Sequence, residues 1–430
     1  MTAPLSAADR PVPPGSELDD QITEVHRRYA EVHPRSAAEH VRAKAVMPGG
    51  NTRSVLHFDP FPFRVIGGEG SDLHDLDGHR YVDFCGNYSA GLLGHSPDRV
   101  RDAVIEALAD GWALGATHLR ETELAEEISE RFASIDQVRF TNSGTEANLM
   151  AIGTALHHSN KDKVGVFDHA YHGGVLSFGD PGSGSHHPLN VPYAFHVAVF
   201  DDIGGLDRLF AEPDLGCVVV EAVQGAGGCR PASPEFLSEL RHRCDDRQVV
   251  LIFDEVMTSR LSFGGAQERY GVIPDMTTLG KYLGGGMTFG AFGGRRDIMA
   301  AFDPATGGSL TQAGTFNNNV VSMAAALATI RYELDSPTID AINKRGDDLI
   351  RALDDVFTAA DLPLWVTGAG SMLCIHAADT RLLELLFHAA LSDGLYLARR
   401  GYMALSKSIT DDHCERLVRC LEAWSKVIRR

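Results

Sequence analysis

The chain of 430 residues has no apolar run approaching the ~20 residues that a bilayer-spanning helix needs. Its first residues, MTAPLSAADRPVPPGSELDD, lack an apolar core segment and already carry acids, so they do not read as a signal peptide. Cysteine is sparse. The seven residues at 85, 217, 229, 244, 374, 414 and 420 are odd in number, scattered and never spaced CxxC. Neither a disulfide framework nor a zinc ribbon is expected, and a reducing, cytoplasmic setting fits. Positive charge is also short: 39 Lys and Arg against 58 Asp and Glu leave a net charge of −19. Such a chain repels phosphate backbones and anionic lipid, which removes nucleic acid and membrane surfaces from the expected partners.

Several familiar site patterns are missing too. No glycine-rich turn follows a first strand with an acid ~20 residues on, as a dinucleotide fold requires, and neither GxxxxGK[ST] nor HExxH occurs. The pairs His157-His158 and His186-His187 have no ligand spacing and read as loop or surface residues, so no metal is expected.

The remaining composition is globular, with 44% apolar residues, and the length implies two domains. Residues 1–16 are rich in Pro and Ala and read as a flexible tail. A helical pattern runs from Glu17 to Val46. Further on, short apolar runs (Val138-Arg-Phe, Val164-Gly-Val-Phe, Cys217-Val-Val-Val, Val249-Val-Leu-Ile-Phe) alternate with helical stretches. That alternation predicts βαβ units and an α/β fold with a mostly parallel sheet. We expect residues 17–75 to join a small α+β domain completed by 326–430, with a large domain over 76–325.

Lysine is scarce, with seven in the chain, and Lys281 stands among seven glycines between 280 and 294. A desolvated lysine there can act as a Schiff-base nucleophile, whereas an ordinary one is a solvated turn residue. The strand ending in Asp254-Glu255 offers either a carboxylate for a protonated pyridine nitrogen or a helix cap. The turn Ser143-Gly144-Thr145 before a helix is equally a phosphate site and the start of a capping box with Glu146. Tyr171 is either a stacking ring or a core or surface tyrosine. Glu221 closes another strand, and Thr315 precedes another helix.

In order, the motifs NSGTEA, YHG, VE..QG, FDEV, TLGKYLGGG and AGTF resemble those of the class III (ω-amino) aminotransferases of pyridoxal 5′-phosphate (PLP) fold type I, over about residues 45–430. The resemblance implies a large PLP-binding domain over 76–325 and a smaller α+β domain. It makes Lys281 the residue joined covalently to the cofactor and Asp254 the partner of its ring nitrogen. Ser143, Gly144 and Thr145 become phosphate ligands, and Tyr171 and Val256 the two faces of a sandwich around the ring. Thr315 matches a phosphate ligand donated by the second subunit, which implies a homodimer with shared active sites. Glu221 matches a Glu-Pro motif, although Ala222 follows it here. Met257 stands where many relatives carry a Gln that contacts the ring hydroxyl.

Within the family, MPGG, Met257 and the TLGK block resemble the glutamate-1-semialdehyde aminomutase-like branch. Asn51-Thr-Arg53-Ser-Val-Leu and Gly314-Thr-Phe-Asn-Asn-Asn-Val are similar to segments of its β-amino acid aminotransferases. Leu56 falls where the aminomutases place a substrate-binding arginine. Arg53 instead resembles the clamp for the carboxylate of a β-amino acid, and Arg400, beside Arg399, a mobile arginine for the second carboxylate of a 2-oxo acid. Tyr88, Met287 and Tyr402 are candidates to line the side-chain pocket. The expected activity is ping-pong transfer of an amino group between an amino acid and a 2-oxo acid. An aminomutase working within one substrate and a non-catalytic PLP-binding protein are the alternatives.

Overall fold

A computed structural model describes residues 7–10, 12, 15–179 and 188–428. His186 and His187 therefore lie outside the described residues, as do 1–6, 11, 13 and 14 of the N-terminal tail. In the rest of that tail, Ala7–Asp9 forms a 3-10 turn, and the Arg10 guanidinium donates to the Leu362 carbonyl at 3.0 Å. None of the described helices is long and apolar enough to cross a membrane.

The chain divides into two compact units, Asp98–Ala341 and Met1–Pro97 with Ile342–Arg430. The sequence reading put these boundaries at 75/76 and 325/326. Long-range pairing moves the first one: Arg80–Asp83 runs parallel to Leu395–Tyr396 and is thereby tied to the C-terminal part of the chain. The second moves because the helix Val320–Tyr332 packs on Asp98–Ala109 and Leu119–Arg131, with Ala107, Val320 and Ala324 in one cluster.

The unit Asp98–Ala341 is built on seven strands in the order Gln137–Thr141, Gly290–Gly294, Met276–Gly280, Val250–Asp254, Leu215–Val220, Lys163–Phe167, Ala194–Ala198. Gly290–Gly294 runs against both neighbours, and the other strands are mutually parallel. Side chains alternate across a strand, and the two cores follow that rule. Val218, Val220, Leu251 and Phe253 enter one apolar cluster with Phe236 and Leu240 of the helix Pro234–Arg247. Cys217, Val219, Val250 and Ile252 enter the other, with Ala147, Ala151 and Ile152 of the helix Gly144–Ser159. Each such Val or Ile contributes about 1.5–3 kcal/mol on burial, so the central strands are held from both faces.

Three strands of this sheet are absent from the sequence reading: Ala194–Ala198, Met276–Gly280 and Gly290–Gly294. The last is glycine-rich because neighbouring backbone occupies the places of its side chains. A Cβ on Gly290 would collide with the Ser143 carbonyl oxygen, and one on Gly294 would come within 2.5 Å of Asp275 O.

The other unit holds two sheets. One has the order Val65–Glu69, Asp72–Asp75, Arg80–Asp83, Leu395–Tyr396, and the other is the antiparallel set Leu364–Ala369, Met372–Ala377, Tyr402–Ala404. The single helical stretch expected over 17–46 is two helices, Gly15–Val32 and Pro34–Lys44. Pro34 has no N–H to continue the first helix and opens the second at its first turn.

Candidate active site

In the unit Asp98–Ala341, sheet register collects the candidate residues at the C-terminal strand ends, where α/β sheets bind ligands. Asp254 is paired with Thr278 on the adjacent strand. Gly280, just before Lys281, lies opposite Gly290, which lies opposite Thr141, two residues before Ser143.

Strand alternation separates the two neighbouring acids. Asp254 follows Ile252 onto the face of the helix Gly144–Ser159 and is 4% exposed. Its Oδ2 accepts from Asn148 Nδ2 at 2.9 Å and His172 Nδ1 at 2.8 Å, and its Oδ1 from the Val256 N–H at 3.0 Å. Burial alone would raise this carboxyl. The hydrogen bond and charge of His172 and the charge of Lys281 outweigh it and hold the pKa below the usual value. His172 shows the mirror effect: burial would lower it, but Asp254 raises it. Asp254 is thus a buried, ionised acid. Glu255 serves the opposite face as a helix cap, accepting from Ala266 N at 2.6 Å and Gln267 N at 3.1 Å, and burial pushes it up to about 7.

Lys281 opens the 3-10 turn Lys281–Gly284 with φ +51. A left-handed backbone costs a non-glycine residue roughly 1–2 kcal/mol, the kind of local strain that gathers at functional sites. The residue is half-buried.

At the Ser143 turn the capping-box reading is observed, and it leaves room for the other. Ser143 caps the helix Gly144–Ser159, its Oγ accepting from Glu146 N at 3.2 Å, while the Glu146 carboxylate accepts from Asn142 N at 2.8 Å. The first N–H groups of a helix have no intrahelical acceptor, so those of Gly144 and Thr145 remain for an anion. A Cβ on Gly144 would come within 2.8 Å of the Val256 methyls, so glycine keeps that space open.

Tyr171 is 40% exposed, which excludes the core reading. Its backbone is held by Glu221, which accepts from Tyr171 N and Gly225 N, each at 3.1 Å. Burial raises the Glu221 carboxyl to about 7 against the opposing charge of His172. Val256 and Met257 are buried at 7% and 8%. Thr315 is exposed in the single chain, and nearby Asn317 accepts from Asn142 Nδ2 at 2.9 Å. A flat phosphorylated pyridine fits these residues. They offer amides for the phosphate, an ionised acid for a ring nitrogen, a branched apolar side chain and an exposed aromatic ring for its faces, and one amine for an aldehyde.

The arginine candidates belong to the other unit. The Arg53 guanidinium lies 5.5 Å from the Tyr88 ring centroid and that of Arg400 5.6 Å from the same ring. Arg400 also lies 5.5 Å from the ring of Tyr402, which stacks on Tyr88 at 5.5 Å and 16°. The neighbouring Arg399 and Arg400 have different surroundings. Arg399 is tied at 3.1 Å to Glu384, which also accepts from His26 and His388. Met287 belongs to the unit of Lys281 and is 39% exposed.

Sequence reasoning passed over Asn148, His172 and Thr278. Thr278 Oγ1 donates to Asn148 Oδ1 at 2.8 Å, which turns the Asn148 amide so that its N–H faces Asp254. His172 directly follows Tyr171, Asn148 lies one helical turn beyond Gly144, and Thr278 meets Asp254 only across the sheet.

Comparison with known proteins gives a family match. The model of the class-III aminotransferases matches residues 57–424. A β-phenylalanine transaminase of Variovorax paradoxus is 43% identical over 95% of this chain and 96% of its own. The crystal structure of a β-phenylalanine aminotransferase from that organism superposes with a TM-score of 0.91 at 42% identity, covering 95% of this chain and 97% of the other. A glutamate-1-semialdehyde 2,1-aminomutase of Methanothermobacter thermautotrophicus is 38% identical over 83% of this chain and 90% of its own. A transaminase solved with PLP bound is 30% identical, with a TM-score of 0.85 over 92% of this chain and 98% of the other.

Proposed function

The chain belongs to the class-III aminotransferase family, and on that premise we propose that it transfers the amino group of a β-amino acid to a 2-oxo acid with pyridoxal 5′-phosphate as cofactor. The observation that carries this reading is the 43% identity with a β-phenylalanine transaminase over 95% of the chain. The substrates are an amino acid and a 2-oxo acid.

When bound, the cofactor supplies an aldehyde that accepts an amino group and a ring that withdraws electrons from the reacting carbon. Ser143, Gly144 and Thr145 hold its phosphate. Asp254, kept ionised by His172, holds a proton on the ring nitrogen. Tyr171 and Val256 cover the ring faces, and Glu221 positions the Tyr171 backbone. Met257 offers the ring an apolar wall and no hydrogen bond. Lys281 anchors the cofactor. The same Nζ, when free, would take the proton from the reacting carbon of the donor and later return one. Arg53 pairs with the donor carboxylate through a guanidinium fork, and Arg400 takes the second carboxylate of the acceptor.

The protein acts as a homodimer in which Thr315 reaches the partner's phosphate. Support comes from the exposure of Thr315 and of Ile105, Trp112, Leu119, Phe316 and Tyr332, all in the unit that carries the cofactor residues. None of the seven cysteines is in a disulfide, which supports a reducing cytoplasm.

The test is a panel of α-, β- and ω-amino donors with 2-oxoglutarate or pyruvate as acceptor. Turnover of β-amino acids that depends on the 2-oxo acid is expected; turnover confined to α- or ω-donors contradicts the reading. The 38% identity to an aminomutase favours a second reading, isomerisation within one substrate, which needs no 2-oxo acid. Leu56, at the position of the aminomutase arginine, stands against it.

A further inference from the structure

Residues 86–89 form an unusual turn. Gly86, Asn87, Tyr88 and Ser89 all have positive φ, at 53, 47, 53 and 72°. Three of them carry side chains, and each such residue costs roughly 1–2 kcal/mol in the left-handed region. Consecutive left-handed residues persist only where the surroundings over-determine them. Here Asp83 Oδ1 accepts from Cys85 N at 2.9 Å and Gly86 N at 3.0 Å. Gly91 N closes the turn on Gly86 O at 2.8 Å, and the Ala404 carbonyl oxygen packs where a Cβ of residue 86 would stand.

This turn grips the Arg53 segment twice. Asn87 Oδ1 accepts from Arg53 Nη1 at 2.6 Å, and the Tyr88 hydroxyl donates to the Val55 carbonyl at 2.8 Å. Beyond the Tyr88 ring face 5.5 Å away, it is Asn87 that directs the guanidinium. Arg53 is exposed and precedes the 3-10 turn Ser54–Leu56, which buries no residue. A long, solvated arginine loses rotamer freedom whenever it must point one way. The acceptor on it is a neutral amide, which orients the fork while leaving its full charge for a carboxylate.

We propose that Asn87 is a positioning residue: the strained turn 86–89 presents its amide oxygen so as to fix the direction of the Arg53 guanidinium, and this sets the reach at which the carboxylate of a β-amino donor is held. The inference rests on the reading of Arg53 as the donor clamp.

Asn87→Gly tests it, because glycine takes the left-handed conformation without strain and removes only the acceptor. Measured on the holoenzyme, N87G raises the KM for a β-amino donor by about tenfold, the equivalent of one charge-assisted hydrogen bond, with kcat unchanged and the melting temperature not lowered. Asn87→Asp also raises KM, because its charge competes with the substrate carboxylate for Arg53. An unchanged KM in N87G, or a kcat that falls in step with melting temperature, overturns the proposal. Arg53→Ala separates the premise: if it leaves the donor KM unchanged, the clamp reading fails by itself. If it raises KM while N87G does not, only the positioning role fails.

Discussion

Replacing Asp254 by Asn removes one charge and one acceptor from a fully enclosed group. The carboxylate serves Val256 N on one oxygen and Asn148 Nδ2 and His172 Nδ1 on the other, at 2.8–3.0 Å. An amide has a single oxygen, so whichever way it turns, its NH2 meets an N–H. A buried donor left unsatisfied costs about 1–3 kcal/mol, a loss of several degrees in melting temperature for a domain of this size. The larger effect is on rate. Removing one preorganised electrostatic contact at a reacting centre costs about 10²–10³ in kcat. The assay is kcat and KM for a β-amino donor at saturating cofactor, with scanning calorimetry on the same samples. A kcat close to wild type in D254N, with the cofactor bound, would refute the assignment of Asp254 to the ring nitrogen.

Three further outcomes follow from other groups. Glu221 is raised by burial to about 7; between the ordinary carboxyl value and that point the unfolded chain loses the proton and the folded chain keeps it, so stability falls as pH rises. The melting temperature of Glu221→Gln, measured relative to wild type, therefore climbs across that window; a constant gap contradicts it. Glu384 is the opposite case. Burial opposes its ionisation, but hydrogen bonds from His388, His26 and Arg399 lower it to about 2. Its contribution is complete above the ordinary carboxyl value and disappears as pH falls towards about 2. Denaturation of Glu384→Gln is thus easier than wild type near neutrality, and the gap closes in acid. Thr315→Ala weakens cofactor affinity by about tenfold, one charge-assisted hydrogen bond, and leaves the dimer intact by light scattering; a monomeric wild type would remove the shared-site account.

The sequence carried the strands that matter most, because Cys217-Val-Val-Val and Val249-Val-Leu-Ile-Phe are apolar on both faces and only a doubly covered sheet uses such runs. Lys281 and Asp254 also stand out in the letters, at strand ends among residues of unusual type. What it hid depends on register and distance. Asp254 and Glu255 are equivalent as letters, and only strand alternation sends one to His172 and the other to the helix Gly265–Tyr270. Arg399 and Arg400 are adjacent, and the pairing of Arg399 with Glu384 is not written in the letters around it. Gly290–Gly294 reads as loop because glycine has low strand preference, yet it is a strand whose neighbours leave no room for side chains. The grip of Asn87 on Arg53 joins residues 34 apart and has no local pattern.

The central claim is that one amine, the Nζ of Lys281, carries the coenzyme. Borohydride reduction of the holoprotein, followed by digestion and mass spectrometry, reads this directly. The account predicts a phosphopyridoxyl group on the peptide containing Lys281 and on none of the other six lysines; an unmodified Lys281, or the label elsewhere, would contradict it.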